Sequence, residues 1–266
     1  MYAFNDAKSD LSFLIGINKP TGMTSHDVVN ACRKILGIKR IGHMGTLDPL
    51  ASGVMLIGVG SAARLNNYLE VADKTYLVTA EFGSSTNTYD AEGCAAEQCE
   101  VAPNLMSKEF ATEYLSKLIG KHMQKPPAYS AIKVDGKPAY KSARKGDEVD
   151  LPEREIEIYE TSLCEVSQNS WTFEVVVSKG TYIRSLVHDI GQDLGCGAHV
   201  RSLERTAVGQ INIEDCYKIE DFATAFEEDN CKVLDVVDLL GFPVVECDEK
   251  MMKRVSNGNS LRNNSE

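Results

Sequence analysis

Gly42-His43-Met44-Gly45-Thr46-Leu47-Asp48-Pro49-Leu50-Ala51-Ser52-Gly53 is the stretch from which the rest of this chain is read. Its glycines suit backbone that turns sharply or lies against something else. Pro49 steers Asp48 away from helical geometry. The apolar run Val54-Met55-Leu56-Ile57 behind it predicts a buried strand. The expectation is a rigid loop, backed by that strand, presenting one carboxylate and one imidazole. Taken alone, Asp48 also suits a plain Asx-turn before proline. The glycine density favours a ligand approaching the backbone.

Around this loop, helical and extended signals alternate. Leu14–Asn18 reads as a buried strand, and Thr24 with Asp27 three residues on reads as a capping box. Val28, Val29, Cys32 and Ile35 then recur at helical spacing up to Gly37, a C-cap glycine. Strands are expected at 54–59, 76–82, 154–163, 171–177 and 200–211, and helices at 61–70, from Ser107, up to Arg144, at 181–194 and at 219–228. Residues 84–106 read as an irregular polar loop. Neighbouring strands that can pair antiparallel make the fold class α+β, a mixed, largely antiparallel sheet flanked by helices. Residues 12–240 form one domain, and something new begins near Phe242-Pro243.

The 266 residues, 43% hydrophobic and 25% charged, have the balance of a soluble globular chain. No run is apolar enough to span a membrane, and Met1–Asp6 do not resemble a secretory leader. The eight cysteines are scattered without a Cys-x-x-Cys pair, which reads as reduced cytoplasmic thiols and no metal site. The net charge of −11 argues against a polyanion partner until its distribution is considered. Lys121, Lys125, Lys133, Lys137, Lys141, Arg144 and Lys145 face only Asp135 in their segment, and Arg33, Lys34, Lys39 and Arg40 precede the opening loop. The acids gather at 147–160 and 214–249. Such segregation suggests a nucleic-acid-binding face on an acidic protein.

No Gly-x-Ser-x-Gly elbow, phosphate-binding loop or dinucleotide fingerprint is present, so neither a serine triad nor a nucleotide cofactor is expected. Four ordered blocks instead resemble the TruB-type tRNA pseudouridine synthases. They are Asn18–Ser25, the opening loop, the stretch from Tyr129-Ser130-Ala131-Ile132-Lys133 to Gly146, and Ser178–Leu186 together with Gly195–Val200. The resemblance runs from about Gly16 to Ala207. It implies a pseudouridine synthase fold, no cofactor and no metal, and a tRNA T-arm as partner of a cytoplasmic monomer. The implied reaction is isomerisation of uridine 55 in the TΨC loop.

By the same resemblance Asp48 is the catalytic carboxylate, Tyr76 stacks beside the target base and is a candidate base for a sugar proton, and Arg184 pairs with Asp48. His43 fills the space left by the flipped nucleotide, Leu203 lines the base pocket, and Lys19, Tyr182 and Lys133 contact substrate. The basic stretch at about 121–150 corresponds to the family's RNA-gripping insertion, and 241–266 to an incomplete PUA-like RNA-binding segment. Glu204-Arg205 departs from the family, which more often has a second basic residue there, leaving Arg205 to supply the charge. Two other readings stand beside this one: an RNA-guided synthase subunit acting on ribosomal RNA, and a non-catalytic RNA-binding or chaperone protein on the same scaffold.

Overall fold

A computed structural model describes residues 11–69, 72–95, 98–134, 136–147 and 149–261. The leader reading at Met1–Asp6, the turn residue Asp135 and the last residues of the PUA-like segment lie outside that range. The strands are β1 (Phe13–Lys19), β2 (Ile41–Met44), β3 (Ser52–Val59), β4 (Lys74–Phe82), β5 (Gly120–Gln124), β6 (Lys133–Val134), β7 (Lys137–Pro138), β8 (Arg154–Ser167), β9 (Ser170–Val177), β10 (Ala198–Val208) and β11 (Ile211–Asn212). The helices are α1 (Ser25–Leu36), α2 (Asn66–Leu69), α3 (Lys108–Lys117), α4 (Ala139–Ala143), α5 (Ile183–Asp193), α6 (Ile219–Glu227), α7 (Val236–Leu240) and α8 (Glu249–Ser256).

One sheet runs β1-β3-β10-β4-β9-β8-β5, with β2 added to β3 and β11 to β10. Its pairs are antiparallel except β3 with β10, where Ser52 opposes Glu204 and Gly53 opposes Arg205. That parallel seam brings the opening loop beside the middle of β10. The α+β reading therefore describes the molecule. Trp171, Phe173, Val175 and Val78 pack with Ile183, Val187 and Ile190 of α5 and Leu115 of α3 in the largest cluster. Trp171 is fully buried and donates its Nε1–H to the Leu105 carbonyl at 2.7 Å. A second cluster joins Ile15, Ile17 and Met55 to Val28, Cys32 and Leu36 of α1 and Phe222 of α6. Among the described residues no helix is long and apolar enough to cross a membrane.

Local signals fix several ends. Thr24 and Asp27 close the capping box on α1, and Gly37 ends it in the left-handed region at φ 69°. Elsewhere the structure departs from the sequence reading. Gly42-His43-Met44 is not loop but strand β2, held along β3 from Ile41–Val59 to Met44–Leu56. The expected helix at 61–70 is a 3-10 turn, Gly60–Leu65, followed by the short α2. There Ala62 N–H donates to Ser12 Oγ at 3.1 Å, an acceptor outside the helix. The segment Gly120–Gln124, which gives no apolar signal, pairs with β8 from Gly120–Ile158 to Gln124–Arg154. The last expected strand begins at Ala198 and breaks at Gly209, whose φ is 56°.

Candidate active site

Four tethers hold the loop that carries Asp48. Ser25, the buried first residue of α1, accepts from Leu47 N–H and donates to the Leu47 carbonyl through one hydroxyl, both at 2.9 Å. Lys19, at the end of β1, donates to the carbonyls of Pro20, Met23 and Pro49 at 2.9, 2.7 and 3.3 Å. Gly22 N–H reaches the same Pro49 carbonyl at 2.8 Å. Arg205, fully buried on β10, donates Nε to Val54 O at 2.7 Å and its terminal nitrogens to Thr46 O and Gly45 O at 3.4 Å. The Asn18–Ser25 block is thus the bracket for the loop.

Two expectations change here. A Cβ on Gly53, at φ 105°, would run into the Arg205 carbonyl, so this glycine admits β10 and not a ligand. Arg205 does not offer charge to a partner, because its guanidinium is spent on backbone carbonyls inside the protein.

Asp48 meets Arg184 across the cleft. Arg184 Nη2 donates to Asp48 Oδ1 at 3.0 Å, and Nε stands 2.8 Å from Oδ2. The Arg184 side chain is only 4% exposed, whereas that of Asp48 is 34% exposed. One end of the pair is locked and the other can be reached. Arg184 also donates to the carbonyls of Thr88 and Tyr129, each at 2.9 Å, and its Nη1 lies 3.5 Å from Oδ2 of Asp90. Asp90 is buried, and its Oδ1 accepts from Thr88 Oγ1 at 2.6 Å and from Glu92 N–H at 3.1 Å. The guanidinium therefore bridges two carboxylates, and its fork is filled by fixed acceptors. Sequence reading missed Asp90, which sits in the polar stretch 84–106 where periodicity is silent.

The other expected site residues fall into three groups. Tyr76 and Leu203 are buried in the same cluster as Leu47, on the adjacent strands β4 and β10. His43, half-buried on β2, stands opposite Ile57. Tyr182 is half-buried at the start of α5. Its backbone is held at both ends by Gln124, N–H to Oε1 at 2.8 Å and carbonyl from Nε2 at 3.0 Å, and the Arg154 guanidinium covers its ring at 5.0 Å. Lys133 is exposed on the β6–β7 hairpin.

Lys19 is fully buried and its amine is occupied by carbonyls, so the contact with substrate expected of it has no surface in this structure. Burial pulls its ammonium down to about 8, with the charge of Asp48 acting against that shift. The Lys19→Met substitution leaves the Pro20 and Met23 carbonyls without this donor. An expected loss of about 1–3 kcal/mol in thermal unfolding follows. Turnover should fall about tenfold and not vanish, because a loosened loop misplaces Asp48 without removing it.

The basic segments are less uniform than their sequence suggests. Lys121 of β5 pairs with Glu155 of the neighbouring β8 at 3.0 Å, and Lys125, just past β5, pairs with Asp150 in the segment before β8 at 2.7 Å. Arg33 is spent on the carbonyls of Lys39 and Ile41 and on Asn30. Other cations gather from β7 onward, where Lys137, Lys141, Arg144 and Lys145, with Tyr140 and Asp147, line a cavity of about 580 Å³.

Comparison with known proteins gives the family of the chain. Residues 33–183 match the TruB family pseudouridylate synthase N-terminal domain, and residues 184–239 match the tRNA pseudouridylate synthase B C-terminal domain. A tRNA pseudouridine synthase B of Thermosipho melanesiensis is 43% identical over 92% of this chain and 79% of its own length. One from Fusobacterium nucleatum is 49% identical over 76% of this chain and 69% of its own. Among solved structures, a Cbf5-Nop10-Gar1 complex contains a chain matching at TM-score 0.63 and 29% identity. That match covers 83% of this chain but only 57% of the neighbour's. On the two family models and on relatives that align over most of its length, the chain belongs to the TruB family of pseudouridylate synthases.

Proposed function

We propose that this protein isomerises uridine 55 in the T-arm of tRNA to pseudouridine, with Asp48 acting on the glycosidic bond. In that reaction the bond from C1′ to N1 breaks, the base turns, and a bond from C1′ to C5 forms. The product has the composition of the substrate, so the chemistry calls for no consumed cofactor. A carboxylate suits it, as a nucleophile or as the group that meets positive charge developing on the sugar. The observation that carries the reading is the contrast within the Asp48–Arg184 pair. A locked guanidinium orients a carboxylate that stays open to a ligand.

Reaching a uridine inside a folded loop requires its extrusion, at a cost of about a few kcal/mol. His43 on β2, adjoining the loop that holds Asp48, is the ring we assign to the vacated space. Tyr76 and Leu203 supply the apolar wall for the flipped base, Tyr76 being also the candidate base for a sugar proton. Tyr182 contacts the nucleotide from the start of α5. The protein acts as a cytoplasmic monomer, and residues 241–266 serve as a partial PUA-like contact to RNA.

Lys133 and the cations beyond the hairpin grip phosphates in this reading. Exchanging Lys133 and Lys137 for glutamate is expected to weaken T-arm binding and to lower the slope of log K against log salt by about 2. Titrations at several salt concentrations measure both; an unchanged slope contradicts a phosphate role for these lysines.

The RNA-guided reading draws on the Cbf5 likeness, but the relatives at 43% and 49% identity are named tRNA pseudouridine synthase B and align over more of their own length. The discriminating experiment incubates the purified chain with an unmodified T-arm hairpin, with no guide RNA and no added protein. Pseudouridine at the uridine-55 position is expected. Absence of product until a guide RNA is supplied would reverse the preference.

A further inference from the structure

Tyr89 is one of three non-glycine residues at positive φ among the described residues, and the only one of them in the segment that holds Arg184. Its φ of 63° puts a bulky side chain in the left-handed region, a conformation that persists only where its surroundings enforce it. Those surroundings are specific. Its N–H donates to Thr86 O at 3.2 Å, its carbonyl accepts from Val200 N–H at 3.0 Å, and Ala91 N–H donates to Val200 O at 2.9 Å. The segment is thereby fastened to β10. Its ring lies flat on the imidazole of His188, with centroids 3.8 Å apart and planes 13° from parallel.

His188 is one helical turn beyond Arg184 on α5, so both side chains share one face of the helix. The residues on either side of Tyr89 hold Arg184: Thr88 through its carbonyl at 2.9 Å, Asp90 through its carboxylate at 3.5 Å. Three consecutive residues thus grip α5 at two points one turn apart. His188 Nδ1 is buried without a hydrogen bond, and the Tyr89 stack is the contact that orients this ring from the 86–91 segment. Burial also lowers the imidazolium's pKa from its ordinary value, which favours a neutral ring against the phenol.

We infer that the Tyr89–His188 stack is a positioning latch. It clamps the 86–91 segment onto α5, so that Thr88 and Asp90 hold the Arg184 guanidinium in the orientation that fixes Asp48. In this role Tyr89 and His188 are positioning residues that act through Arg184. The inference rests on the proposed role of Asp48, but its first test does not require turnover.

Glycine takes φ 63° without cost, so Tyr89→Gly removes the ring while relieving the backbone. In that variant, and in His188→Ala, exchange of the Arg184 Nε–H with solvent, read by nitrogen-15 NMR, is expected to rise about tenfold or more. With T-arm RNA, kcat should fall about tenfold while KM stays within about twofold, the pattern of a misplaced catalytic group. Tyr89→Phe keeps the stack and should restore wild-type values in both measurements. Unchanged Arg184 exchange in Tyr89→Gly overturns the latch, as does a lowered melting temperature with unchanged kcat. Faster Arg184 exchange, in a protein whose wild type makes no pseudouridine, supports the latch and overturns the proposed function instead.

Discussion

Asp48→Asn is expected to abolish pseudouridine formation, by about 10⁴-fold or more, while the variant still folds and still binds the T-arm. The amide has nearly the shape of the carboxylate, so the turn closed by Ala51 N–H on Asp48 O at 3.1 Å is unaffected, as are the tethers on Leu47 and Pro49. What disappears is the negative charge, which the proposed reaction uses either to attack or to meet positive charge on the sugar. Losing that group costs orders of magnitude more than losing a positioning contact. Single-turnover assays with saturating enzyme separate this loss of chemistry from any loss of affinity. A rate within about tenfold of wild type would remove Asp48 from the reaction.

Arg184→Met should damage both stability and catalysis. The substitution withdraws the donor from the Thr88 and Tyr129 carbonyls and strips Asp90, which is buried, of its cationic partner. Removing one partner of a buried charge pair costs about 3–5 kcal/mol, because the remaining charge is left uncompensated away from water. The same change frees Asp48 to rotate, and turnover should fall about 10³-fold. Arg184→Lys should recover little of either, since an ammonium cannot reproduce the fork that reaches two carboxylates and two carbonyls at once. Denaturant unfolding gives the first effect and single-turnover kinetics the second. Wild-type stability in Arg184→Met would show that Asp90 finds another partner.

Much of the site was legible in the sequence, for identifiable reasons. Asp48 announced itself through the Asp-Pro step and the surrounding glycines. Arg184, 136 residues away, was legible only through the resemblance of its block to a known family, since pairing at that distance leaves no local trace. Asp90 and Tyr89 were not legible. Their segment has no period, and its geometry comes from bonds to Val200 on a strand far along the chain. β5 was hidden because Lys121 and Met123 face outward on an edge strand that lacks the apolar alternation expected of a half-buried one. The excess of basic residues in that segment was legible, but Lys121 and Lys125 are paired with Glu155 of β8 and with Asp150 just before it, partners about thirty residues on that leave no local trace. Gly53 was read correctly as a close approach and wrongly as to what approaches, because a parallel seam with β10 cannot be seen from one side.

The most direct test of the account is position-resolved mapping of pseudouridine in one unmodified tRNA transcript, incubated in parallel with the wild-type protein and with Asp48→Asn. The account predicts a single new pseudouridine at uridine 55 with the wild type and none with the variant. No product from the wild type, product at another position only, or equal product from both proteins would contradict it.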